Sequence, residues 1–287
     1  MKELRGMPVV KGLLEGFGIE TKKLKEKGII PKLVVIRVGA REDDLAYERG
    51  IYKRFGAVDA LVETKELSEE VSQGELEDLI HTLNQDDGVH GILLFRPLPK
   101  HLNENEIKEL ILEEKDVDCM GSANNAHVFA GDGVGYPPCT PQAVMELLDF
   151  YGISLTGKKV TIVGRSMVVG KPLAMLMLAK NATVTICHTR TQNLEEECKR
   201  ADILVACAGV AKMITKEFVS ENQVVIDVGI NMVDDALCGD VDFEEVADAV
   251  ASITPVPGGI GNVTTSVLLK HTIMSALKNM CNSSAMQ

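Results

Sequence analysis

The sequence lacks the features of secreted, membrane and nucleic-acid-binding proteins. It has seven cysteines but no C-x-x-C pair, and this odd number argues against a disulfide framework or a structural zinc site. No apolar run reaches the roughly 18 residues of a membrane span, and the first residues lack the apolar core of a signal peptide. A net charge of −12 disfavours a nucleic-acid surface. We therefore expect a cytoplasmic protein with no metal site and with no membrane or nucleic-acid partner.

Strand and helix patterns alternate along the chain, as is typical of α/β proteins with a mainly parallel sheet. The 287 residues are 45% hydrophobic and 25% charged, an ordinary globular mixture that suits one or two domains. Apolar periodicity predicts strands over 32–38, 57–64, 90–94, 160–163, 183–187, 202–206 and 224–228. It predicts helices over 8–28, 43–54, 75–84, 104–112, 141–151 and 264–280.

The glycine- and proline-rich segment 131–138 cannot hold regular structure and predicts a domain boundary. We expect one α/β domain over 1–140 together with 265–287, and a second over 141–264. Two helices would join the domains and leave a cleft between them. Ligands are expected there, at the carboxyl ends of parallel strands.

The most distinctive motif is a β-branched run that stops at Gly164 and is followed, six residues later, by Gly170 and an apolar helical pattern. This outline predicts a strand, a tight turn and a helix whose first N–H groups point at whatever lies over the turn. Those N–H groups and the helix dipole attract an anion, and a nucleotide phosphate is the usual occupant. The spacing differs from the G-x-G-x-x-G fingerprint, so the turn alone indicates only a phosphate-bearing ligand.

Several further stretches, taken in order along the chain, resemble one family. They include Lys-Asp-Val-Asp at 115–118, Pro-Cys-Thr-Pro at 138–141, Val-Gly-Arg-Ser at 163–166, Val-Ile-Asp-Val-Gly-Ile-Asn at 225–231, Gly-Asp-Val-Asp at 239–242 and Pro-Val-Pro-Gly-Gly at 255–259. Each is modest alone, but the ordered set is specific. The sequence resembles the bifunctional methylenetetrahydrofolate dehydrogenase/methenyltetrahydrofolate cyclohydrolase family of one-carbon metabolism.

The resemblance implies an α/β folate-binding domain, a Rossmann-type dinucleotide-binding domain and a homodimer. The implied reaction is NADP-dependent oxidation of 5,10-methylenetetrahydrofolate to 5,10-methenyltetrahydrofolate. Tyr47 and Asp118 are implied as catalytic and substrate-binding residues, with Pro257, Gly258 and Gly259 also near the substrate. The implied cofactor-binding residues follow strands of the second domain: Gly164, Arg165, Ser166, Val169, Gly170, His188, Thr189, Arg190, Gly209 and Ile230.

The sequence departs from the family at the site of the second, hydrolytic activity. The family takes its proton-transferring group from a Tyr-x-x-x-Lys pair, which a Gln tunes. Here Ile51 stands at the Lys position, four residues after Tyr47, and Phe95 stands at the Gln position. Lys53 lies about 200° round the helix from Ile51, and the guanidinium of Arg54 does not release a proton near neutral pH. We therefore expect cyclohydrolase activity to be weak or absent.

The residues after the second strand of the second domain bear on the cofactor. NAD-using dinucleotide folds typically place an acidic residue there, where it binds the ribose 2′-hydroxyl. This chain has Cys187-His188-Thr189-Arg190-Thr191, with no acid and an additional arginine. A 2′-phosphate would be attracted, which favours NADP over NAD.

Three alternative interpretations stay open. The protein could be a full bifunctional enzyme with an unrecognised base, or a non-catalytic folate or nucleotide binder that kept the fold. It could also be another two-domain dehydrogenase, such as one for amino acids, although the usual Lys and Asp pair cannot be placed here. The roles of Arg96 and of His127, which replaces a family Arg or Lys, are open as well.

Overall fold

The computed structural model describes residues 2–234 and 236–285, with side chains as far as residue 280. The strands are β1 Lys2–Glu3, β2 Lys32–Val38, β3 Leu61–Leu67, β4 Gly91–Leu94, β5 Lys159–Val163, β6 Thr183–Cys187, β7 Ile203–Ala206, β8 Val224–Asp227, β9 Asn231–Val233, β10 Ala236–Cys238 and β11 Ser252–Ile253. The α-helices are α1 Gly6–Glu26, α2 Glu42–Gly56, α3 Gln73–Gln85, α4 Glu104–Ile107, α5 Ser122–Ala130, α6 Cys139–Phe150, α7 Gly170–Ala179, α8 Leu194–Lys199, α9 Phe243–Val246 and α10 Ile260–Ala285. Within the described residues, no helix has the length and apolarity needed to cross a bilayer.

The chain divides into two compact units, each built on a parallel sheet. The three-stranded unit comprises Gly12–Cys139 and Thr265–Gln287, and the six-stranded unit comprises Met1–Lys11 and Thr140–Thr264. The two-domain α/β fold with parallel pairing, expected from the alternating pattern, is thus confirmed.

In the three-stranded unit, β2 is the central strand and pairs in parallel with β3 on one side and β4 on the other. The apolar run Leu33–Ile36 of β2 is fully buried, as expected for a strand covered on both faces. Val34 and Ile36 pack in one core with Ile92 and Leu94 of β4, and α3 covers this core with Leu76, Ile80 and Leu83.

In the six-stranded unit the strand order is β1-β11-β8-β7-β5-β6, and every neighbouring pair is parallel. From β5 the chain passes to β6 on one side and then returns to β7 on the other. Strand order therefore reverses at β5, and α/β sheets bind ligands outside the carboxyl ends of strands at such a point. The three-stranded sheet reverses in the same way at β2.

The predicted domain boundary is wrong for the first eleven residues, which belong to the six-stranded unit. Lys2 and Glu3 pair in parallel with Ser252 and Ile253, and the N–H of buried Leu4 donates to the Ile253 carbonyl at 2.8 Å. An edge strand of two residues leaves no periodic pattern in a sequence, which is why it was missed. Thr140, predicted in the first domain, also lies in the six-stranded unit.

Several element bounds also differ from the predicted ones. The strand expected over 57–64 begins only at Leu61, because Ala60 and Val58 still close the end of α2 through hydrogen bonds to the Phe55 carbonyl. The helix expected over 104–112 ends at Ile107 and continues as a 3₁₀ turn. Helix α5 and the antiparallel β9–β10 hairpin were not predicted.

Candidate active site

Tyr47 lies on α2, which a buried ion pair fixes to the three-stranded sheet. The Arg37 guanidinium of β2 lies 3.0 Å from the Glu48 carboxylate of α2 and 3.0 Å from the Glu66 carboxylate of β3. Arg37 is only 4% exposed, and a buried charge of this kind needs its partners. The pair therefore orients the helical turn that carries Tyr47.

The ring of Tyr47 packs against the ring of Phe95, with centroids 5.6 Å apart and an interplanar angle of 31°. Phe95 follows β4, and its N–H donates to the Ile36 carbonyl at 2.9 Å. Phe95 is 6% exposed, whereas Tyr47 is 37% exposed. Phe95, predicted to stand at the family's Gln position, therefore contacts the predicted catalytic tyrosine through an apolar ring.

Ile51 lies one helical turn after Tyr47 and is completely buried. Of the nearby cations, Lys53 is exposed and Arg54 is half-buried, with a pKa that burial lowers. Positions 51 and 95 therefore both carry buried apolar side chains. Neither side chain transfers a proton.

Two members of the Lys-Asp-Val-Asp motif serve the fold rather than the site. The Lys115 ammonium donates to the carbonyls of Leu83, Asn84 and Asp86 at 2.9, 2.8 and 2.8 Å, and so caps the end of α3. The Asp116 carboxylate accepts the N–H groups of Met120 and Gly121 at 2.8 and 3.0 Å. The motif thus contains two residues with structural roles, Lys115 and Asp116, in addition to the predicted site residue Asp118.

Asp118 is half-buried, and its carboxylate accepts the Cys139 N–H at 3.2 Å. Burial raises the pKa of Asp118, while hydrogen bonds from Cys139 and the charge of Arg96 act in the opposite direction. Packing around the Tyr47 hydroxyl, followed by the charge of Asp118, raises the pKa of Tyr47 well above its ordinary value. Tyr47 and Asp118 therefore lie close enough to interact electrostatically within one unit.

Arg96 and His127 both make ion pairs. The Arg96 guanidinium lies 3.7 Å from Glu104, and the Arg41 guanidinium donates to the Arg96 carbonyl at 2.8 Å. The two His127 ring nitrogens lie 2.7 Å from Asp132 and 3.2 Å from Glu113. The hydrogen bond to Asp132 raises the pKa of His127, so the two carboxylates favour the protonated form of this histidine.

In the six-stranded unit, the turn between β5 and α7 is closed by backbone contact. Gly164 has φ +135°, and a Cβ on it would overlap the Cys207 carbonyl; a Cβ on Gly170 would overlap the Gly164 carbonyl. The Ser166 hydroxyl accepts the Val169 N–H at 3.1 Å and shapes the loop between the two glycines. Arg165 and Ser166 are exposed at the carboxyl end of β5.

The turn after β6 lies beside it, because Val163 and Cys187 are register partners at the ends of β5 and β6. The His188 N–H donates to the Thr191 hydroxyl at 2.9 Å, and the Arg190 N–H donates to His188 Nδ1 at 3.0 Å. Neutral His188 therefore carries its proton on Nε2. Thr189 and Arg190 are exposed, so the two turns present Arg165 and Arg190 at one edge of the sheet.

The glycine loop packs on the start of the chain. The Gly6 N–H donates to the Gly258 carbonyl at 2.8 Å, and a Cβ on Gly259 would lie 2.6 Å from the Pro255 carbonyl. Gly258 has φ +112°. Pro257 is exposed, while Gly259 is buried. These contacts explain the glycines by the turn itself, and the predicted substrate contacts of Pro257, Gly258 and Gly259 stay predictions.

Gly209 and Ile230 follow β7 and β8 in the same unit, and Ile230 is 66% exposed. Beside them lie two buried carboxyl groups that were not predicted as site residues, Asp227 and Asp240, which are 3% and 0% exposed. Asp227 accepts the N–H groups of Gly229, Asp240 and Val241 at 2.9, 3.0 and 2.9 Å. Both aspartates stand in motifs that carried the family resemblance, and that was the only signal available.

One half of the chain thus holds a tyrosine and a carboxylate, and the other half is a Rossmann-type domain that forms a glycine turn at its switch point. A family model described as the tetrahydrofolate dehydrogenase/cyclohydrolase catalytic domain matches residues 4–118. A second, described as the NAD(P)-binding domain of the same family, matches residues 138–280. Together they match most of the chain. The protein therefore belongs to the tetrahydrofolate dehydrogenase/cyclohydrolase family.

Named relatives agree with this assignment. The bifunctional protein FolD of Clostridioides difficile (strain 630) is 52% identical over 271 residues, which cover 94% of each chain. Among solved structures, the FolD methylenetetrahydrofolate dehydrogenase/cyclohydrolase of Campylobacter jejuni has a TM-score of 0.95 and 39% identity, covering 97% of this chain and 99% of that one. The Trypanosoma brucei enzyme, solved with NADP and an inhibitor, has a TM-score of 0.90 and 33% identity over 96% and 97% of the two chains.

The glycine contacts predict opposite effects for two alanine substitutions. Gly164→Ala places a Cβ on a carbonyl oxygen at positive φ, and we expect it to lower the free energy of unfolding by about 3 kcal/mol or more. Gly16→Ala, on an exposed part of α1 with nothing within 4 Å of the new Cβ, should be neutral or stabilising by about 0.5–1 kcal/mol. Urea denaturation measures both. Equal stability of the two variants would contradict the contact.

Asp227 predicts a pH dependence of stability. Burial raises its pKa to about 6, against its three N–H donors, whereas the unfolded value is about 3.9. Its stabilising contribution is therefore complete below about pH 4 and is lost as the pH rises through about 6. Relative to Asp227→Asn, which does not titrate, the free energy of unfolding of the native protein should fall by about 1–3 kcal/mol from pH ~4 to pH ~7. Denaturation at each pH measures this difference; a difference independent of pH would contradict it.

Proposed function

We propose that the protein oxidises 5,10-methylenetetrahydrofolate to 5,10-methenyltetrahydrofolate with NADP. One observation carries the proposal: the charge of Asp118 acts on Tyr47 within one unit, and the glycine turn at 164–170 is closed by backbone contact in the other. A protein that only bound folate or only bound a nucleotide would need one of them. The names of the C. jejuni and T. brucei relatives support the same reaction.

This reaction asks for positioning rather than for a protein base. The bridging carbon of the substrate lies between two nitrogens, whose lone pairs stabilise the cation that remains after hydride loss. Catalysis is therefore largely orientation. NADP, when bound, supplies the hydride acceptor, and the side chains of this chain bind, orient and exclude water.

Asp118 and Tyr47 suit the two parts of a folate ring system. An ionised carboxylate accepts hydrogen bonds from the amino and ring N–H groups of a pterin. The charge of Arg96 favours that ionised form against the effect of burial. The partly exposed ring of Tyr47, braced by Phe95, offers a face for stacking.

The turn after β6 suits the 2′-phosphate of NADP. His188 accepts a hydrogen bond at Nδ1 and so presents Nε2–H, while the exposed Arg190 adds a fixed positive charge. Hydrogen bonds from charged donors to phosphate are stronger than those to a neutral hydroxyl. Residues 188–191 contain no carboxylate that would bind a free ribose instead.

We propose further that cyclohydrolase activity is weak or absent. Adding water to the methenyl cation moves protons and needs a titrating group, but position 51 holds a buried isoleucine and position 95 a buried phenylalanine. The names of the relatives favour the alternative, a full bifunctional enzyme that yields 10-formyltetrahydrofolate. A homodimer stays a prediction from the resemblance, and a cytoplasmic location stays a prediction from the composition of the sequence.

A coupled assay separates the two proposals. Purified protein with methylenetetrahydrofolate and NADP should accumulate the methenyl product, and hydrolysis of added methenyltetrahydrofolate should stay within about twofold of the buffer rate, because general acid–base catalysis is worth about 10²–10⁴-fold. Hydrolysis more than about tenfold above buffer would establish the bifunctional alternative. Absence of NADP reduction in the same folded sample would remove the dehydrogenase proposal.

Variants at the apolar pair sharpen this test. Ile51→Lys alone should restore little hydrolysis, because Phe95 gives the buried amine no hydrogen-bond partner. The double variant Ile51→Lys/Phe95→Gln should exceed the single variant by about tenfold or more. Phe95→Leu is the matched control that keeps the position apolar. Equal hydrolysis by the single and double variants would show that residue 95 plays no part.

Cofactor preference is tested at Arg190. Arg190→Ala should raise the KM for NADP by about 10-fold or more and leave the KM for NAD within about twofold, because one charge-assisted hydrogen bond to phosphate is lost. Arg200→Ala is the control, an exposed arginine of the same unit that pairs with Glu196 and Glu197. Equal effects of Arg190→Ala on both cofactors would exclude a 2′-phosphate contact.

A further inference from the structure

Among the described residues of the six-stranded unit, Asp240 is the most completely buried carboxylate, and the proposed chemistry does not use it. It follows β10, is 0% exposed, and accepts hydrogen bonds at both oxygens. Oδ2 accepts the N–H groups of Ala208 and Gly209 at 2.6 and 2.9 Å, and Oδ1 accepts the Asn231 side-chain amide at 2.9 Å. These donors come from two loops that are distant in sequence from each other.

Both loops leave the sheet beside its switch point. Ala208 and Gly209 follow β7, the neighbour of β5, and Asn231 follows the loop after β8, the next strand. Gly209 and Ile230 are the residues through which these loops are expected to bind the cofactor. The carboxylate of Asp240 thus connects the two loops through hydrogen bonds.

The position of Asp240 is fixed in turn by Asp227. The Asp227 carboxylate accepts the backbone N–H groups of Asp240 and Val241, and the Ile214 N–H donates to the Asp240 carbonyl at 2.9 Å. Glycines make room for both side chains, since a Cβ on Gly229 would overlap the Asp240 carboxylate and a Cβ on Gly239 would overlap that of Asp227. These contacts therefore fix the position of the Asp240 carboxylate.

Connecting loops are in general more mobile than the strands they join, and hydrogen bonds to a fixed group restrict them. Two successive N–H groups directed at one buried carboxylate hold Ala208–Gly209 in a single conformation, and Gly209 has φ +68° there. A buried carboxylate is stable only with its donors in place. The same hydrogen bonds therefore fix the loops before any ligand arrives and lower the entropy lost on binding.

We propose that Asp240 is a positioning residue for the nicotinamide cofactor, which it serves by holding the loops at 208–209 and 230–231 in their binding conformation. This inference rests on the proposed function. Asp240 acts through Gly209 and Asn231 and touches neither cofactor nor substrate. Its loss should weaken the binding of NADP and NADPH and leave unchanged the folate binding that is proposed for Tyr47 and Asp118 in the three-stranded unit.

The test uses Asp240→Asn in the full-length protein. An asparagine has nearly the same shape as the aspartate, but only its carbonyl oxygen accepts hydrogen bonds. Its NH₂ group would therefore face the N–H donors on one side without being able to accept from them. We expect the Kd for NADPH, measured by fluorescence titration, and the KM for NADP to rise by about 10-fold or more. The KM for methylenetetrahydrofolate should stay within about twofold. Asp242→Asn is the control, a more exposed aspartate two residues away that lies 3.8 Å from Lys212.

The outcomes separate this inference from the proposed function. A folded Asp240→Asn variant with a native NADPH Kd would overturn the positioning role, as would a loss of kcat with both KM values unchanged. A native protein that does not bind NADPH would overturn the proposed function instead. Should Asp240→Asn not fold, Asn231→Ala removes one hydrogen bond from the same carboxylate. It should raise the NADPH Kd by about 3-fold or more, and an unchanged Kd would again overturn the role.

Discussion

Parallel strand pairing is the constraint on which both units depend. Parallel pairing brings the carboxyl ends of all strands to one edge of a sheet. Where the chain leaves one strand to form a neighbour on one side and then returns to form a neighbour on the other, the loops that follow these strands diverge and leave room for a ligand. In the three-stranded sheet this strand is β2, and the residues after β4 and on α2 include Phe95 and Tyr47. In the six-stranded sheet it is β5, which ends at the Gly164 turn. The pairing therefore places the site residues before any side chain acts.

Local features of the fold could be predicted from the sequence, whereas contacts between residues far apart in the chain could not. The buried strands and the Gly164 turn follow from apolar runs and from glycines whose Cβ would collide with backbone. The pairing of Lys2–Glu3 with β11 spans about 250 residues of chain and consists of two residue pairs. A strand this short has no alternating apolar pattern from which it could be predicted. Lys115 and Asp118 stand in one motif with different tasks, and only the three carbonyls around the Lys115 ammonium distinguish them. The role of Asp240 could not be predicted for the same reason, because its hydrogen-bond donors lie on other loops of the chain.

The charge of the chain makes local donors decisive. With a net charge of −12, the overall field repels a dinucleotide and a folate, so binding depends on arginines and oriented N–H groups at strand ends. Buried Asp227 and Asp240 add negative charge close to the predicted cofactor loops. Their carboxylates are nevertheless covered by backbone and amide donors. Arg165 and Arg190, by contrast, are exposed. These two carboxylates are thus bonded within the protein, whereas the two arginines are free to meet an anion at the edge where the cofactor is predicted.

Positions 51 and 95, where the resemblance predicts a Lys and a Gln in the family, are linked by the same requirement for hydrogen-bond partners. A lysine at a fully buried position is stable only with an acceptor, and a buried amide is stable only with its own hydrogen bonds. Losing the lysine alone would leave a glutamine at 95 without its partner beside the Tyr47 ring. Losing the glutamine alone would leave a buried ammonium uncompensated. Replacement of both by Ile51 and Phe95 removes both penalties and gives Tyr47 an aromatic neighbour at 5.6 Å. The proposed folate site at Tyr47 and Asp118 can therefore stay ordered without a hydrolytic pair, which is the physical basis of the proposal that the dehydrogenase reaction does not need that pair.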